Sequence, residues 1–186
     1  MSQSENFRIA LHQSGFLRFA TSDDAERLAL WWSDGQVMEH AGFPDGINTN
    51  IEDLKKRLSK SSLEQQLWII EDYTKQPIGE MNHKVNEGTA TIGIKICEAS
   101  QQGKGIGKRA LKAMIVYLFD TLNVEKIWLD TMIENTRAQH VYRSLLFSEI
   151  AVRKDIWKDQ TGRLRTSVEF ILTKEVYQKN QSLYND

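Results

Sequence analysis

Gln102-Gly103-Lys104-Gly105-Ile106-Gly107 stands between a strand-like alternation, Ala90 to Ile96, and a helix-patterned stretch, Lys108 to Leu122. Glycines at 103, 105 and 107 let successive backbone N–H groups turn toward one point, and the free amides of the helix that follows add partial positive charge. The segment reads as a cradle for a phosphate-like anion. Its spacing excludes two common nucleotide loops. A P-loop needs Gly-x-x-x-x-Gly-Lys and then Ser or Thr, whereas Arg109 follows Lys108 and Gln102 fills the place of the first glycine. A dinucleotide fingerprint would put its third glycine on Lys108. Lys104, Lys108 and Arg109 gather where cations oppose the helix dipole, a conflict that a bound polyanion would reverse. The plainer reading is three cations on a solvated helix face.

Outward from the cradle the chain reads as sheet and helix in turn. Leu67 to Asp72, Ile78 to Val85 and Thr89 to Ile96 predict a meander, the last pair joined at Asn86-Glu87-Gly88, with Ala90, Ile92, Ile94 and Ile96 facing inward. Leu111, Met114, Ile115, Leu118 and Leu122 then form one apolar helical stripe. Lys126 to Met132 returns to strand, and Asn135 caps a helix carrying Ala138, Val141, Tyr142 and Leu145 on one face. Two strands close the chain, Ile150 to Trp157 and Thr166 to Leu172, turning over Asp159 to Gly162. Upstream, Phe7 to Leu11 and Phe16 to Ala20 predict short strands, as a hairpin or an N-terminal flap. Ser22 or Asp23 can cap a helix with Ala25, Leu28, Ala29 and Trp32, and Asn50 with Asp53 a second with Ile51, Leu54 and Leu58. The loop Asp34 to Thr49 lies between them.

Gln102-x-x-Gly105-x-Gly107 after an Ile-Gly-Ile-x-Ile strand resembles the acetyl-CoA-binding motif of the GNAT superfamily of N-acetyltransferases. Further on, Asn135-Thr136-Arg137-Ala138, Tyr142 and Leu146-Phe147 resemble the family's second motif of Asn, Ala, Tyr and a closing Gly-Phe, with Leu146 in place of the glycine. The resemblance covers nearly the whole chain. It is nearest the branch holding aminoglycoside, polyamine and ribosomal-protein N-terminal acetyltransferases. It implies an α+β fold with a central mixed, mostly antiparallel sheet of about seven strands flanked by about four helices.

Composition agrees with that class. A chain of 186 residues is long enough for one well-cored domain, expected over 1–186, with an N-terminal strand region at 7–20 and a tail at 175–186. Hydrophobic residues make up 40% and charged residues 26%, so a globular, cytoplasmic protein is expected. No apolar run reaches the roughly 18 residues of a membrane span, and residues 1–6 lack the features of a secretory signal. The 24 Lys and Arg balance 25 Asp and Glu, so neither nucleic acid nor a membrane surface is an expected partner. A single cysteine, Cys97, allows no internal disulfide. His40 and His140 lack metal-ligand spacing, so no metal is expected.

The resemblance distributes roles. The diphosphate of acetyl-CoA would lie on Gly103, Lys104, Gly105, Ile106 and Gly107, flanked by Gln102 and Lys108. Its pantetheine arm would pair with the open edge at Ile94 and Ile96, and Asn135 would hydrogen-bond the arm. Open backbone groups near Ile96 would steady the oxyanion. Asn135 and Tyr142 are two helical turns apart, roughly 10 Å along the axis, so one ligand can touch both. Tyr142 would be general acid toward the leaving thiolate; the plainer alternative is a core tyrosine. An acceptor alkylammonium of pKa about 10.4 costs about 4.6 kcal/mol to deprotonate at pH 7, so a base is required. Asp130 is the first candidate, Glu80 the second and His83 a distant third, each also readable as a solvated or satisfied strand residue. Trp31, Trp32 and Phe43, with Asp34, Glu39 and Asp45, would suit a cationic amine, although Trp32 also fits a core position. The expected activity is direct acetyl transfer to a primary amine of a small cationic molecule, a polyamine, aminoglycoside or similar. A protein N-terminus, as in ribosomal-protein acetylation, is the alternative acceptor, and a non-catalytic acyl-CoA-binding sensor or interaction module the alternative of another class. Assembly as a homodimer is compatible with any of these.

Overall fold

Period-two alternation carries the middle and end of the chain into one open sheet, here in a computed structural model that describes residues 7–60 and 62–185. The expectation about residues 1–6 falls outside them. The strands are β1 Arg8–Ala10, β2 Phe16–Phe19, β3 Gln65–Glu71, β4 Pro77–Asn86, β5 Thr89–Ile96, β6 Lys126–Met132, β7 Ser148–Lys158 and β8 Leu164–Thr173. They lie in the order β1-β2-β3-β4-β5-β6-β8-β7. Every neighbouring pair is antiparallel except β5 and β6. The helices are α1 Ala25–Ser33, α2 Gly35–Met38, α3 Ile51–Leu58, α4 Ile106–Val116, α5 Thr136–Ser144 and α6 Lys174–Lys179.

Eight strands and six α-helices among the described residues exceed the expected seven and four. The N-terminal segment is a true hairpin, α2 forms inside the Asp34 to Thr49 loop, and α6 forms in the tail. The cap of α1 also differs: Thr21 and Asp24 form a reciprocal capping box across a short 3-10 turn, while Ser22 and Asp23 are exposed. Asn50 caps α3 as expected, its side chain accepting from the Asp53 N–H at 3.0 Å.

The two faces of the sheet bury separate clusters. Met81, Ala90 and Ile92 pack with Leu111, Met114, Ile115 and Leu118 beneath α4, and Ile94 and Ile96 border that cluster, as their alternation requires. Ile69 packs with Leu28, Trp31, Leu54 and Leu58 of α1 and α3 on the other face. The long helix expected to run to Leu122 changes pitch at residue 117, where a π turn, Tyr117–Thr121, replaces α-helix. That turn brings Asp120 to the Tyr177 hydroxyl of α6, which donates to it at 2.7 Å.

The parallel pair positions the site. β5 and β6 are paired only at Thr89↔Lys126, Ala90↔Ile127 and Thr91↔Trp128. From Ile92 onward β5 stays with β4, as far as Gly79↔Ile96. Over the same stretch β6 stays with β8, as far as Met132↔Ser167. A wedge therefore opens between Ile92–Ile96 and Leu129–Met132, leaving backbone N–H and C=O groups free for something other than a strand.

Leu146, the departure from the family's glycine, takes the left-handed conformation that glycine would have supplied, with φ 63°. The Phe147 N–H donates to Tyr142 O at 3.1 Å and the Leu146 N–H to Arg143 O at 3.0 Å, which is a Schellman termination of α5. The side chain strains that backbone by roughly 1–2 kcal/mol. At 36% exposure the Leu146 side chain still buries apolar surface, which offsets that strain. Leu146→Gly is therefore expected to leave stability within about 1 kcal/mol of the wild type, moving Tm by less than about 4 °C in a thermal melt. A larger fall would show that the Leu146 contacts outweigh the αL strain.

Candidate active site

Gly103 and Gly105 both adopt positive φ, 79° and 78°, and Gly105 is the residue on which α4 begins. The glycine run thus ends with α4 pointing its first free amides out of the turn. Arg109 donates from Nη1 to Lys104 O at 3.1 Å, and its guanidinium lies 3.3 Å from where a Cβ at Gly105 would stand. A cavity of about 500 Å³ opens beside it, lined by His12, Gly105, Lys108, Arg109 and Lys112. The lining is cationic, which suits a polyanion. Gln102 uses its side chain differently from the expectation: its Nε2 donates to Ile96 O at 2.9 Å and ties the end of β5 to the cradle. That bond commits one of its two amide N–H groups to the protein.

Asn135 is likewise engaged. Its Oδ1 accepts from the Ala138 N–H at 3.2 Å as the cap of α5, so only its amide NH2 remains to meet a ligand. Gln139, which the pattern of apolar residues passed over, is buried and donates from Nε2 to Ile133 O at 2.8 Å, fixing α5 on the end of β6. Tyr142 projects from that fixed helix and packs edge-on against Phe170, with ring centroids 5.5 Å apart. Its hydroxyl has no hydrogen-bond partner among the described residues, whereas buried Tyr184 and Tyr177 each have one. Burial, and after it the nearby charge of Asp130, push the Tyr142 pKa up to about 12.

Leu129 joins the core beneath α4 and α5, so Asp130, its neighbour in the alternation, points to the opposite face. Asp130 is exposed there and pairs across the strands with Glu169. Burial by its surroundings, then the Glu169 charge, raise its pKa above the ordinary carboxylate value. Tyr142 and Asp130 therefore meet electrostatically from the two sides of the wedge. Glu80 is placed otherwise. It lies on the α1 side of β4, is 2% exposed, and its Oε1 accepts from Trp32 Nε1 at 2.9 Å and from Lys95 Nζ at 3.0 Å. Its Oε2 is buried with no hydrogen-bond partner. His83 is removed from the chemistry: its Nδ1 accepts from Trp68 Nε1 at 2.9 Å, its Nε2 meets Leu63 O at 2.9 Å, and burial lowers its pKa. Cys97 is buried, which raises its thiol pKa and keeps it protonated. Among the described residues no group of His, Cys, Asp and Glu is arranged to hold a metal, and no helix is long and apolar enough to cross a membrane.

The Asp34 to Thr49 loop lies along the wedge's α1 side. Its turn Glu39–Ala41 packs against β6, and Gln160 at the tip of the β7–β8 hairpin clamps it. The Gln160 N–H donates to Gly42 O, its Nε2 to Gly46 O, and its Oε1 accepts from the Asp45 N–H, each at 2.9 Å. Trp157 fills the space above Gly42, where any Cβ would clash with the indole ring. Asp159 shapes the hairpin tip. Against the upward push of burial, hydrogen bonds from Thr161 and Arg165 hold its pKa down at about 2. Trp31, rather than the expected Trp32, is the tryptophan in the core; it donates to Glu98 at 2.9 Å, and Trp32 is left at the rim under Arg57. Lys95 and Gln160 were not singled out in the sequence. An alternating strand gives no sign of which lysine faces a buried carboxylate, and a hairpin turn gives none of what it clamps.

The fold thus combines a wedge between parallel strands, a glycine cradle at a helix start and a tyrosine within the field of Asp130. The acetyltransferase (GNAT) domain family matches residues 16–148. The chain belongs to the GNAT acetyltransferase family and is an N-acetyltransferase by class. It is 29% identical over 168 residues to the "Uncharacterized N-acetyltransferase p20" of Bacillus licheniformis, covering 87% of this chain and 93% of that one. It is 29% identical over 143 residues to a spermidine N(1)-acetyltransferase of Vibrio cholerae, 74% of this chain and 76% of the relative. Among solved structures, the Vibrio cholerae spermidine N-acetyltransferase in complex with CoA and spermine superposes with a TM-score of 0.79 at 22% identity, over 89% of this chain and 98% of that one.

Proposed function

We propose that the protein transfers the acetyl group of acetyl-CoA directly to the primary amine of a small molecule, within the wedge between β5 and β6. The observation that carries this reading is the wedge itself, with the cradle at one end and Tyr142 and Asp130 on its two sides. Gly103 to Gly107 would hold the diphosphate through main-chain amides, with Lys108 beside them. The edge at Ile94 and the Ile96 N–H, the Ile96 carbonyl being held by Gln102, would pair with the pantetheine arm, and the Asn135 amide would donate to it. Acetyl-CoA supplies an acyl carbon activated as a thioester.

This chain's residues would then handle two protons. Asp130, whose raised pKa makes it a better base than an ordinary aspartate, would take one from the acceptor ammonium. Tyr142 would offer its hydroxyl proton to the sulfur. At a tyrosine pKa of about 12 against about 8.5 for a thiol, complete transfer is uphill by about 5 kcal/mol, so the step is a strong hydrogen bond in the transition state. Glu80, saturated on one oxygen by Trp32 and Lys95, is the less suited base.

The clamp of Gln160 on the 42–46 loop favours a small acceptor over a protein N-terminus, because it closes the α1 side along which a following peptide would have to run. The polyamine of the relatives' names lies within the proposed class. The test is a mass-spectrometric screen of the purified protein with acetyl-CoA against monoamines, polyamines, aminoglycosides and N-terminal peptides. Acetylated small amines are the expected product. Acetylated peptides alone would transfer the reading to protein N-termini, and cofactor binding without thiol release would make the chain an acyl-CoA-binding module.

A further inference from the structure

Charge around the wedge is largely balanced from within the chain. Polyamine recognition needs carboxylates in excess, one for each ammonium nitrogen buried. Most acids near this wedge are already matched from within the chain. Glu80 has Lys95 at 3.0 Å, and Glu169 has Arg153 at 3.0 Å. Glu134 has Arg165 at 3.6 Å and Arg163 at 3.8 Å. Asp130 faces the α1 side with no ion pair among the described residues, its neighbour in charge being another acid, Glu169.

Lys95 is the unusual member of this set. Ile94 and Ile96 border the α4 cluster, so Lys95 between them projects to the α1 side from the strand that forms one lip of the wedge. There its ammonium sits on Glu80, with the Trp32 indole N–H on the same oxygen and the Arg57 guanidinium 5.2 Å above the Trp32 ring. Glu80 is almost wholly buried and its second oxygen remains without a donor. This arrangement, an alkylammonium on a buried carboxylate beside a tryptophan, is what a site for one nitrogen of a polyamine would contain. Here the chain's own side chain fills it.

We infer that Lys95 permanently occupies a second ammonium subsite at Glu80, so that the enzyme acetylates amines carrying one positive charge and discriminates against polyamines. The inference rests on the small-amine reading and narrows its substrate class. The reacting nitrogen would be served by Asp130 on the β6 lip. The next nitrogen of a polyamine, three or four methylenes away, would stand roughly 5–6 Å further on. Asp130 and Lys95 lie on the two lips of the wedge and both project to its α1 side, so that nitrogen would be carried from Asp130 toward the Lys95–Glu80 pair. Because Glu80 is already neutralised by Lys95, a second ammonium there would find no free carboxylate, and forgoing that charge-assisted hydrogen bond weakens binding roughly tenfold to a hundredfold.

The test measures thiol release from acetyl-CoA with butylamine, 2-phenylethylamine, 1,4-diaminobutane and spermidine, for the wild-type protein, Lys95→Ala and the charge-deleted pair Glu80→Gln/Lys95→Met. Wild type should show kcat/KM at least about tenfold higher for the better monoamine than for spermidine. Lys95→Ala unmasks Glu80 and should raise the spermidine value about tenfold or more relative to the monoamine, whereas the double variant should show no such gain. A wild-type preference for spermidine would overturn the inference and leave the acetyltransferase reading standing. An unchanged ratio in folded Lys95→Ala would also overturn it. Turnover of none of the four amines would defeat the small-amine reading and this inference with it. Should Lys95→Ala fail to fold, the wild-type ratio decides alone.

Discussion

Tyr142→Phe is expected to lower kcat by about a hundredfold or more while leaving the affinity for acetyl-CoA within about twofold. The substitution removes one oxygen from a ring whose packing against Phe170 and Phe147 is unaffected. Because that hydroxyl holds no partner among the described residues, its loss orphans no other polar group, and stability should hold or rise slightly. A proton donor that acts only as the thiolate departs contributes to the transition state and not to ground-state binding, so the loss belongs in kcat. The pH profile adds a second readout. With Tyr142 pushed up to about 12, no alkaline fall in rate from this group should appear at ordinary assay pH. The acid limb should follow Asp130, whose pKa is raised, with activity rising as pH climbs through it and Asp130→Asn abolishing the limb. Full turnover by Tyr142→Phe with the true acceptor would return this residue to the core.

Much of the fold was legible because its elements are strongly periodic. The meander, the stripe from Leu111 onward and the helix after Asn135 each turn toward the core the residues that their spacing selects, although Ala138 and Val141 are only partly buried. The glycine cradle was legible because positive φ at Gly103 and Gly105 is a local demand of the backbone. Where the reading slipped, long-range contacts had overridden local pattern. Trp31 and Trp32 are adjacent, and only the partners Glu98 and Glu80, more than forty residues away, decide which faces the core. The π turn after Val116 is specified by docking of α6, through the Tyr177 hydroxyl on Asp120 and the stacking of Phe119 on Tyr177 at 4.7 Å, and not by any signal within the helix. Leu146 shows the same in miniature. A leucine at the C′ position would argue against a Schellman end, yet buried Tyr184 reaches back from the tail and donates to Leu145 O at 2.8 Å, adding a partner for that turn. The wedge was implied only by resemblance, since the place where a parallel pair stops pairing depends on what β4 and β8 do on either side.

The largest effect on stability is expected at Arg18, remote from the acetyl chemistry yet responsible for the frame around it. From β2 its guanidinium donates from Nη1 and Nη2 to both oxygens of Asp24 at 2.7 Å and from Nε to Glu71 at 2.6 Å. Hydrogen bonding to Asp24 and then to Glu71, against the opposing effect of burial, raises its pKa further above an already permanent charge. Asp24 and Glu71 are 6% and 3% exposed, so both carboxylates depend on partners within the fold. Arg18→Ala strips the cation from Asp24 and leaves Glu71 only the half-exposed Arg8, at 3.3 Å. Removing one member of a buried ion network while its partners stay charged costs about 3–5 kcal/mol, and that range is expected in chemical denaturation. Asp24 also closes the capping box from which α1 starts, so the damage should spread along α1 to Trp31 and Trp32 and loosen the wall of the acceptor side. Accordingly Arg18→Ala should weaken acceptor KM more than cofactor affinity at temperatures where it remains folded, because the cradle is built on α4 and the other face of the sheet. A loss below about 1 kcal/mol would mean that water replaces the guanidinium freely, and that these acids are less enclosed than their exposures indicate.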